Sequence, residues 1–379
     1  MTINGDRLRI LRRFHNLTQR ELAEWVGSPA SDISSFERGY REPKGLALEA
    51  ICSALGVEAG FLSHGLLDDE FQEHETNFRS LVDTPDRLRK KVLAHATLFG
   101  TLLDLLTRTV RLPLLNVPQI QATTHDELEG AAERCRLAWG VGADAPILNV
   151  TLMLERAGIV VTTLDREISK KVDAFSRYGA SNLIVLNPAK GSATRTRFDL
   201  AHEAAHGVLH RNGLPLELSA REDQANYLAG ALLLPRKSFA RDFWMLGKTR
   251  TWEQLLELKR RWGASVPAIV VRSYQLGLMD AAEYRRRFKH MGRIGWLRGA
   301  EPGETQPETP QLFMLVLRRY QTEHDKSTLA IAQELNWTPE LFKQVTAIDP
   351  TLDTFARRQS AGSPPASLDE YRTRKLAAK

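Results

Sequence analysis

The sequence predicts a mainly α-helical protein with one small β-sheet. It resolves into an all-α N-terminal domain, a central α+β domain and a C-terminal helical segment. Three observations lead there. Apolar residues recur at helical spacing along most of the 379 residues. Only between residues 147 and 187 does the period change to short β-branched runs. The chain is also too long for one small core, so two or three domains are expected. A hydrophobic fraction of 42% and a charged fraction of 26% are ordinary for soluble globular protein. No apolar run approaches the roughly 18–20 residues needed to span a bilayer, and the first residues have no signal-peptide core. Cys52 and Cys135 lack metal-type spacing and read as reduced, structural residues. Together these features point to a cytoplasmic protein without membrane contact. The net charge of +6 is compatible with nucleic-acid binding without requiring it.

Residues 1–66 form the first domain. "RLRILRRF", "QRELAEWV", "SDISSFE" and "LALEAICSAL" carry helical apolar spacing, punctuated by Gly27, Gly39 and Gly56. A helical linker region spans 67–124. It opens on the acidic stretch "LLDDEFQEHETNFRS", continues as a long helix from Pro85 to Val110, and ends in the loop "RLPLLNVPQIQATT". The central domain spans 125–298. "DELEGAAERCRLAW" reads as a helix, and "ILNVTLMLERAGIVVTTL" as a helix stopped at Gly158 and followed by a strand. "NLIVLNP" is a second strand. Further helices follow in "FDLAHEAAHGVLH", "REDQANYLAGALLLP", "TWEQLLELKRRWG" and "VPAIVVRSYQLGL". Residues 299–311, "GAEPGETQPETPQ", have a linker's composition. A C-terminal helical segment occupies 312–360, and 361–379 reads as a disordered tail. No internal repeat is evident.

"FDLAHEAAHGVLH" places His202 and His206 four residues apart, on one helix face, where both can reach one ion. Glu203 projects from the neighbouring flank, where its carboxylate can take a proton from a water at the metal. In such a site the metal lowers the water's pKa and polarises a carbonyl while the carboxylate serves as base, then acid. The bland alternative is a helix that happens to carry histidines. The third ligand separates the two readings. A histidine six residues beyond the second one would fall at Asn212, which excludes that class of site. His210 lies two turns from His202, too far to share its coordination sphere, and suits packing or support of a ligand. Downstream, Glu222 can complete a His-His-Glu set for Zn2+, and Asn226 one turn later can orient a ligand imidazole. The alternative for Glu222 is a polar residue near a helix start, where acids are favoured anyway. An exposed edge on the strand "NLIVLNP" would let an extended peptide add beside the zinc.

"TRTRFDLAHEAAHGVLH" and "REDQANYLAGALLLP", with "KVDAFSRYGASNLIVLNP" and "AERCRLAWGVG" upstream, resemble the ImmA/IrrE metallopeptidases over roughly residues 125–290. That resemblance implies a zincin-like α+β fold. It implies zinc held by His202, His206 and Glu222, with Glu203 as the base. It also implies helix-turn-helix repressors as substrates, cut under stress.

"LTQRELAEWVGSPASDISSFERGYREP" carries two short helices joined at Gly27 and resembles the lambda-repressor-like (XRE) helix-turn-helix family over residues 6–62. The second helix, near Pro29–Glu37, would enter the major groove. Two positions depart from the family pattern: Pro29 replaces a Ser or Thr cap, and Ala30 replaces a polar reader. Residues 1–66 hold eight basic and eight acidic residues, so the domain has no net charge. The expected DNA contacts are Gln19, Ser31, Asp32, Ser34 and Ser35, with Arg38, Arg41 and Lys44 reaching phosphates. Asp32 would repel phosphate but can accept from a cytosine amino group.

The reading that joins these features is a DNA-binding transcriptional regulator carrying a zinc-dependent endopeptidase domain, in a stress, phage-defence or mobile-element response. It would bind an inverted repeat as a homodimer and cut a helix-turn-helix repressor. The alternative is a regulator of transcription or of a toxin–antitoxin pair whose zinc domain senses or docks without turnover. An intact Glu203 favours the enzyme, since a structural site has no use for a base. "STLAIAQELNWTPELFKQV" has the apolar spacing of a second helix-turn-helix, but any small helical bundle shows the same spacing.

Overall fold

Polar caps divide the N-terminal residues into short helices. Asn4 accepts from the Asp6 amide to start α1 (Gly5–Phe14). Thr18 and Glu21 form a capping box for α2 (Gln19–Trp25). A left-handed turn at Gly27 leads to α3 (Ala30–Glu37). α4 (Leu46–Leu55) ends on left-handed Gly56, and α5 (Ala59–Ser63) follows. Leu8, Leu11, Leu22, Ile33, Ile51 and Leu55 are fully buried among them. The computed structural model describes residues 3–63, 85–164, 172, 174–179, 181–187, 191–211, 216–299 and 301–352. The acidic stretch 66–80 and the expected tail 361–379 therefore lie outside the described residues. α6 (Asp86–Thr107) buries Val92, Leu98, Phe99, Leu102 and Leu106 completely and is the central helix of the first unit. That unit runs to Leu112 and resumes at Phe313, whereas residues from Pro113 to Leu312 form a second unit. The expected break at 66 lies inside the first unit and those at 124 and 298 inside the second, while the expected one at 311 falls within a residue of the observed boundary. α6 carries a continuous apolar surface that only the neighbouring helices can cover.

The second unit begins with α7 (His125–Ala138), capped by Thr124 and Glu127, and α8 (Val150–Arg156), capped by Asn149. Gly158 has φ +84°, and a Cβ there would lie 2.8 Å from the carbonyl oxygens of Pro113 and Leu114, so only glycine fits. The sheet has the order β1 (Val160–Thr163), β3 (Leu183–Leu186), β2 (Phe175–Arg177). β1 pairs with β3 in parallel, Val160 opposite Leu183. β2 pairs with β3 antiparallel, Ser176 opposite Ile184. The strand read from "NLIVLNP" is thus the central one and buried throughout, which corrects the expectation that it offers an edge to a peptide. β2, too short and too polar to show in the sequence pattern, is an edge strand instead.

The helix α9 (Ala193–Leu209) packs on that sheet, and α10 (Leu218–Leu233) packs on α9 through small residues. Ala201, Ala204 and Ala205 on α9 and Ala225 and Ala229 on α10 are buried to within 1% of their surface. Alanines let the two helix axes approach closely. α11 (Arg236–Trp244), α12 (Trp252–Trp262), α13 (Val266–Gln275) and α14 (Ala281–Arg293) complete the unit.

Residues 301–311 are strapped onto this unit, although their composition is that of a linker. Glu301 accepts from the first amide of α13, Val266. Glu304 accepts from Thr194 at the start of α9, and Glu308 from Val150 and Thr151 at the start of α8. Three carboxylates thus meet three helix N-termini, where partial positive charge favours them. The chain then rejoins the first unit as α15 (Leu312–His324), α16 (Thr328–Glu334) and α17 (Pro339–Thr346). The rings of Phe99 and Phe313 meet at 4.8 Å. The seventeen α-helices and the small sheet among the described residues match the predicted class. Both cysteines are free and buried.

Candidate metal centre and nucleic-acid interface

α9 starts where Ser192 accepts from the Arg195 amide. Deeply buried Arg197 then fixes its first turns to the Gly263 and Ile147 carbonyls. This places His202 and His206 toward α10, which brings Glu222. His202 Nε2 lies 3.1 Å from His206 Nε2. Glu222 Oε2 is 3.3 Å from His202 Nε2, and its Oε1 is 3.2 Å from His206 Nε2. A tetrahedral zinc bound at about 2.0–2.1 Å sets its ligand atoms about 3.3 Å apart. The two imidazole nitrogens, each with one oxygen of the Glu222 carboxylate beside it, already stand at that spacing as a triangle of three residues, and they are the metal-competent group found among the described residues. The site fits a divalent ion.

The electrostatics agree. Burial drives His206 down to about 4, so its ring is neutral and offers a lone pair. Burial opposes charge on His202 too, but Glu222 and Glu203 outweigh it and raise its pKa. Glu222 is held well below the usual carboxylate range despite burial, because the imidazoles of His202 and His206 lie against it.

His210 sits behind the triangle. Its Nδ1 is 2.9 Å from His206 Nδ1, and its Nε2 is 3.0 Å from Gln224 Oε1. The amide oxygen can only accept, so His210 donates from Nε2 and receives at Nδ1. His206 must therefore carry its proton on Nδ1, which leaves Nε2 bare toward the triangle. Asn226 is exposed, and the contact expected of it is made by Gln224 acting through His210. Sequence reasoning missed Gln224, because which residue of α10 meets His210 depends on how the helix is rotated against α9.

Glu203 is 3% exposed. Ser176 Oγ donates to its Oε2 at 2.6 Å, and Tyr178 OH donates to its backbone carbonyl at 3.0 Å. Ser176 and Tyr178 stand two residues apart and so face α9 together. Tyr178 also explains Gly207, where a Cβ would sit 2.3 Å from its ring. Burial pushes the Glu203 carboxyl up to about 8. A cation at the neighbouring donors acts in the opposite sense. Neither Ser176 nor Tyr178 was singled out in the sequence, since a three-residue strand gives no periodic signal.

In the first unit, α3 displays Ser31 and Arg38 fully, and Asp32, Ser34 and Ser35 in part. Arg41 and Lys44 are exposed just beyond it. Arg41 pairs with Asp32 at 3.0 Å, which removes the charge conflict expected of Asp32. Ser35 donates to the Ser31 carbonyl at 2.8 Å. Gln19 donates to Glu37 at 2.8 Å, and Glu37 also holds Arg12, so Gln19 braces α2 against α3. Pro29 caps α3 without a side-chain bond, in line with its departure from the usual cap.

Comparison with known families covers both sites. Residues 5–60 match the model of a helix-turn-helix domain, and residues 154–274 that of the IrrE N-terminal-like domain. No curated protein matches the chain. No helix among the described residues is long and apolar enough to cross a membrane. The chain is a fusion of a helix-turn-helix domain with an IrrE N-terminal-like, metallopeptidase-like domain.

Proposed function

We propose that the protein is a cytoplasmic DNA-binding regulator whose central domain is a zinc-dependent endopeptidase, acting on a helix-turn-helix repressor or a related regulatory protein. The observation that carries this reading is the donor triangle of His202, His206 and Glu222 with a buried, hydrogen-bonded Glu203 at its flank. Zinc held there would polarise the scissile carbonyl and acidify water. Glu203, oriented by Ser176, takes the proton from the attacking water and returns it to the departing amine. An extended substrate segment lies along the edge strand β2, beside α9. The helix-turn-helix domain binds an inverted repeat as a homodimer, through α3 in the major groove and Arg38, Arg41 and Lys44 on phosphates.

Metal analysis tests the site. The purified protein should hold about one equivalent of zinc, and His202→Ala and Glu222→Ala should lose it. Glu203→Gln should keep it while losing hydrolysis of any protein substrate. Full zinc with unchanged affinity in Glu222→Ala would refute the ligand set.

A further inference from the structure

The C-terminal helices repeat the first three at a constant offset of 309 residues. α2 and α16 each span seven residues, α3 and α17 each span eight, and four residues separate the pair in both cases. The caps Thr18 and Ser327 correspond. So do the left-handed residues Asn16 and Asp325, and Gly27 and Asn336. The turn bonds correspond as well. Ser28 N donates to Ala23 O at 2.9 Å, and Trp337 N to Ala332 O at 2.9 Å. Leu17 N donates to Arg12 O at 3.0 Å, and Lys326 N to Gln321 O at 3.1 Å. Buried Leu8, Leu11, Leu22, Ala23, Ile33 and Phe36 map onto Leu317, Tyr320, Ile331, Ala332, Phe342 and Val345, all buried. Leu8, Arg9, His15 and Ala23 keep their identity at that offset, too few to reveal the repeat in the sequence.

The reading edge is not kept. Arg38 maps onto Ala347, Arg41 onto Pro350 and Lys44 onto Asp353, so all three phosphate-reaching charges are gone. Asp32 maps onto Leu341, which is 1% exposed. A Cβ at Gly27 would meet nothing within 4 Å, so the first turn lies open. The second turn is seated on the α4–α5 end of the first module. Thr338 donates to the Gly56 carbonyl from both N and Oγ1 at 2.9 Å. Glu58 N donates to Asn336 O at 2.8 Å, and Val57 bridges Trp337. The Trp337 ring lies 6.4 Å from that of Phe61.

We propose that residues 312–346 are a second helix-turn-helix module that has exchanged DNA reading for docking onto the first. The DNA-binding unit is then built from both ends of the chain, with the peptidase-like domain inserted between them. Full-length Thr338→Asp tests the docking, because aspartate still caps α17 but its side chain cannot donate to the Gly56 carbonyl and sets a carboxylate against that oxygen. Hydrogen exchange should accelerate at least tenfold in both 46–63 and 328–346 and stay unchanged in 193–209. Exchange that is unchanged, or faster in 328–346 alone, overturns the docking. Lys343→Ala with Gln344→Ala tests the loss of reading. Affinity for a duplex from the protein's own promoter region, and for random duplex at low salt, should stay within twofold of the parent. A tenfold loss would show that the second module reads DNA.

Discussion

The proton that decides whether His206 can bind a cation sits on Nδ1, and Gln224 fixes it there through His210. Partners behind a ligand histidine typically change metal affinity about 10–100-fold. Gln224→Leu should therefore weaken zinc binding by about that factor in a chelator competition, whereas Gln224→Glu, which still accepts from His210, should retain it. Equal affinity in Leu and parent proteins would remove Gln224 from the site. His202, Glu203 and His206 were legible because one helix carries them at a spacing that geometry interprets directly. Glu222 was legible once family resemblance supplied the second segment. Gln224 and Ser176 were not, because their contacts arise from packing between elements distant in sequence.

The elements that hold this geometry are joined by buried charges at helix ends. Arg136, completely buried, donates to the Leu232 and Ala145 carbonyls and so ties α7 to the end of α10. Arg272 links the Leu234 carbonyl to Glu129, which also accepts from Tyr227. Lys259, equally buried, lies 2.9 Å from both Glu301 and Glu304 and donates to the Pro302 carbonyl. Removing one partner from such a group leaves uncompensated buried charge and costs about 3–5 kcal/mol. Lys259→Met should lower the calorimetric transition temperature, and adding Glu301→Gln should recover part of the loss. A transition within a degree or so of the parent would show that the strap contributes no stability to the second unit. Composition could not reveal this strap. Gly, Pro and Glu in succession signal a solvated linker, and only the positions of three helix N-termini give its carboxylates partners.

At the scale of the whole molecule, the helical class and the small sheet were readable from periodicity, but the grouping of the segments into units was not. α6 reads as a helix within a linker, yet its buried face makes it central to the first unit. The C-terminal helices join that same unit. Residues 66–80 connect α5 to α6, both in the first unit, so a cut there would nick that unit instead of releasing the second. This favours cleavage of another protein over self-cleavage. Under the proposed function, binding to DNA would raise the local concentration of a neighbouring DNA-bound repressor to roughly millimolar, which would make even a modest peptidase selective. The direct test incubates zinc-loaded protein and Glu203→Gln with a repressor encoded nearby, with and without promoter DNA, and reads intact masses. The account predicts two fragments summing to the repressor plus one water, formed faster with DNA and only by the parent protein. An uncut repressor in every arm, or the same fragments from Glu203→Gln, would contradict it.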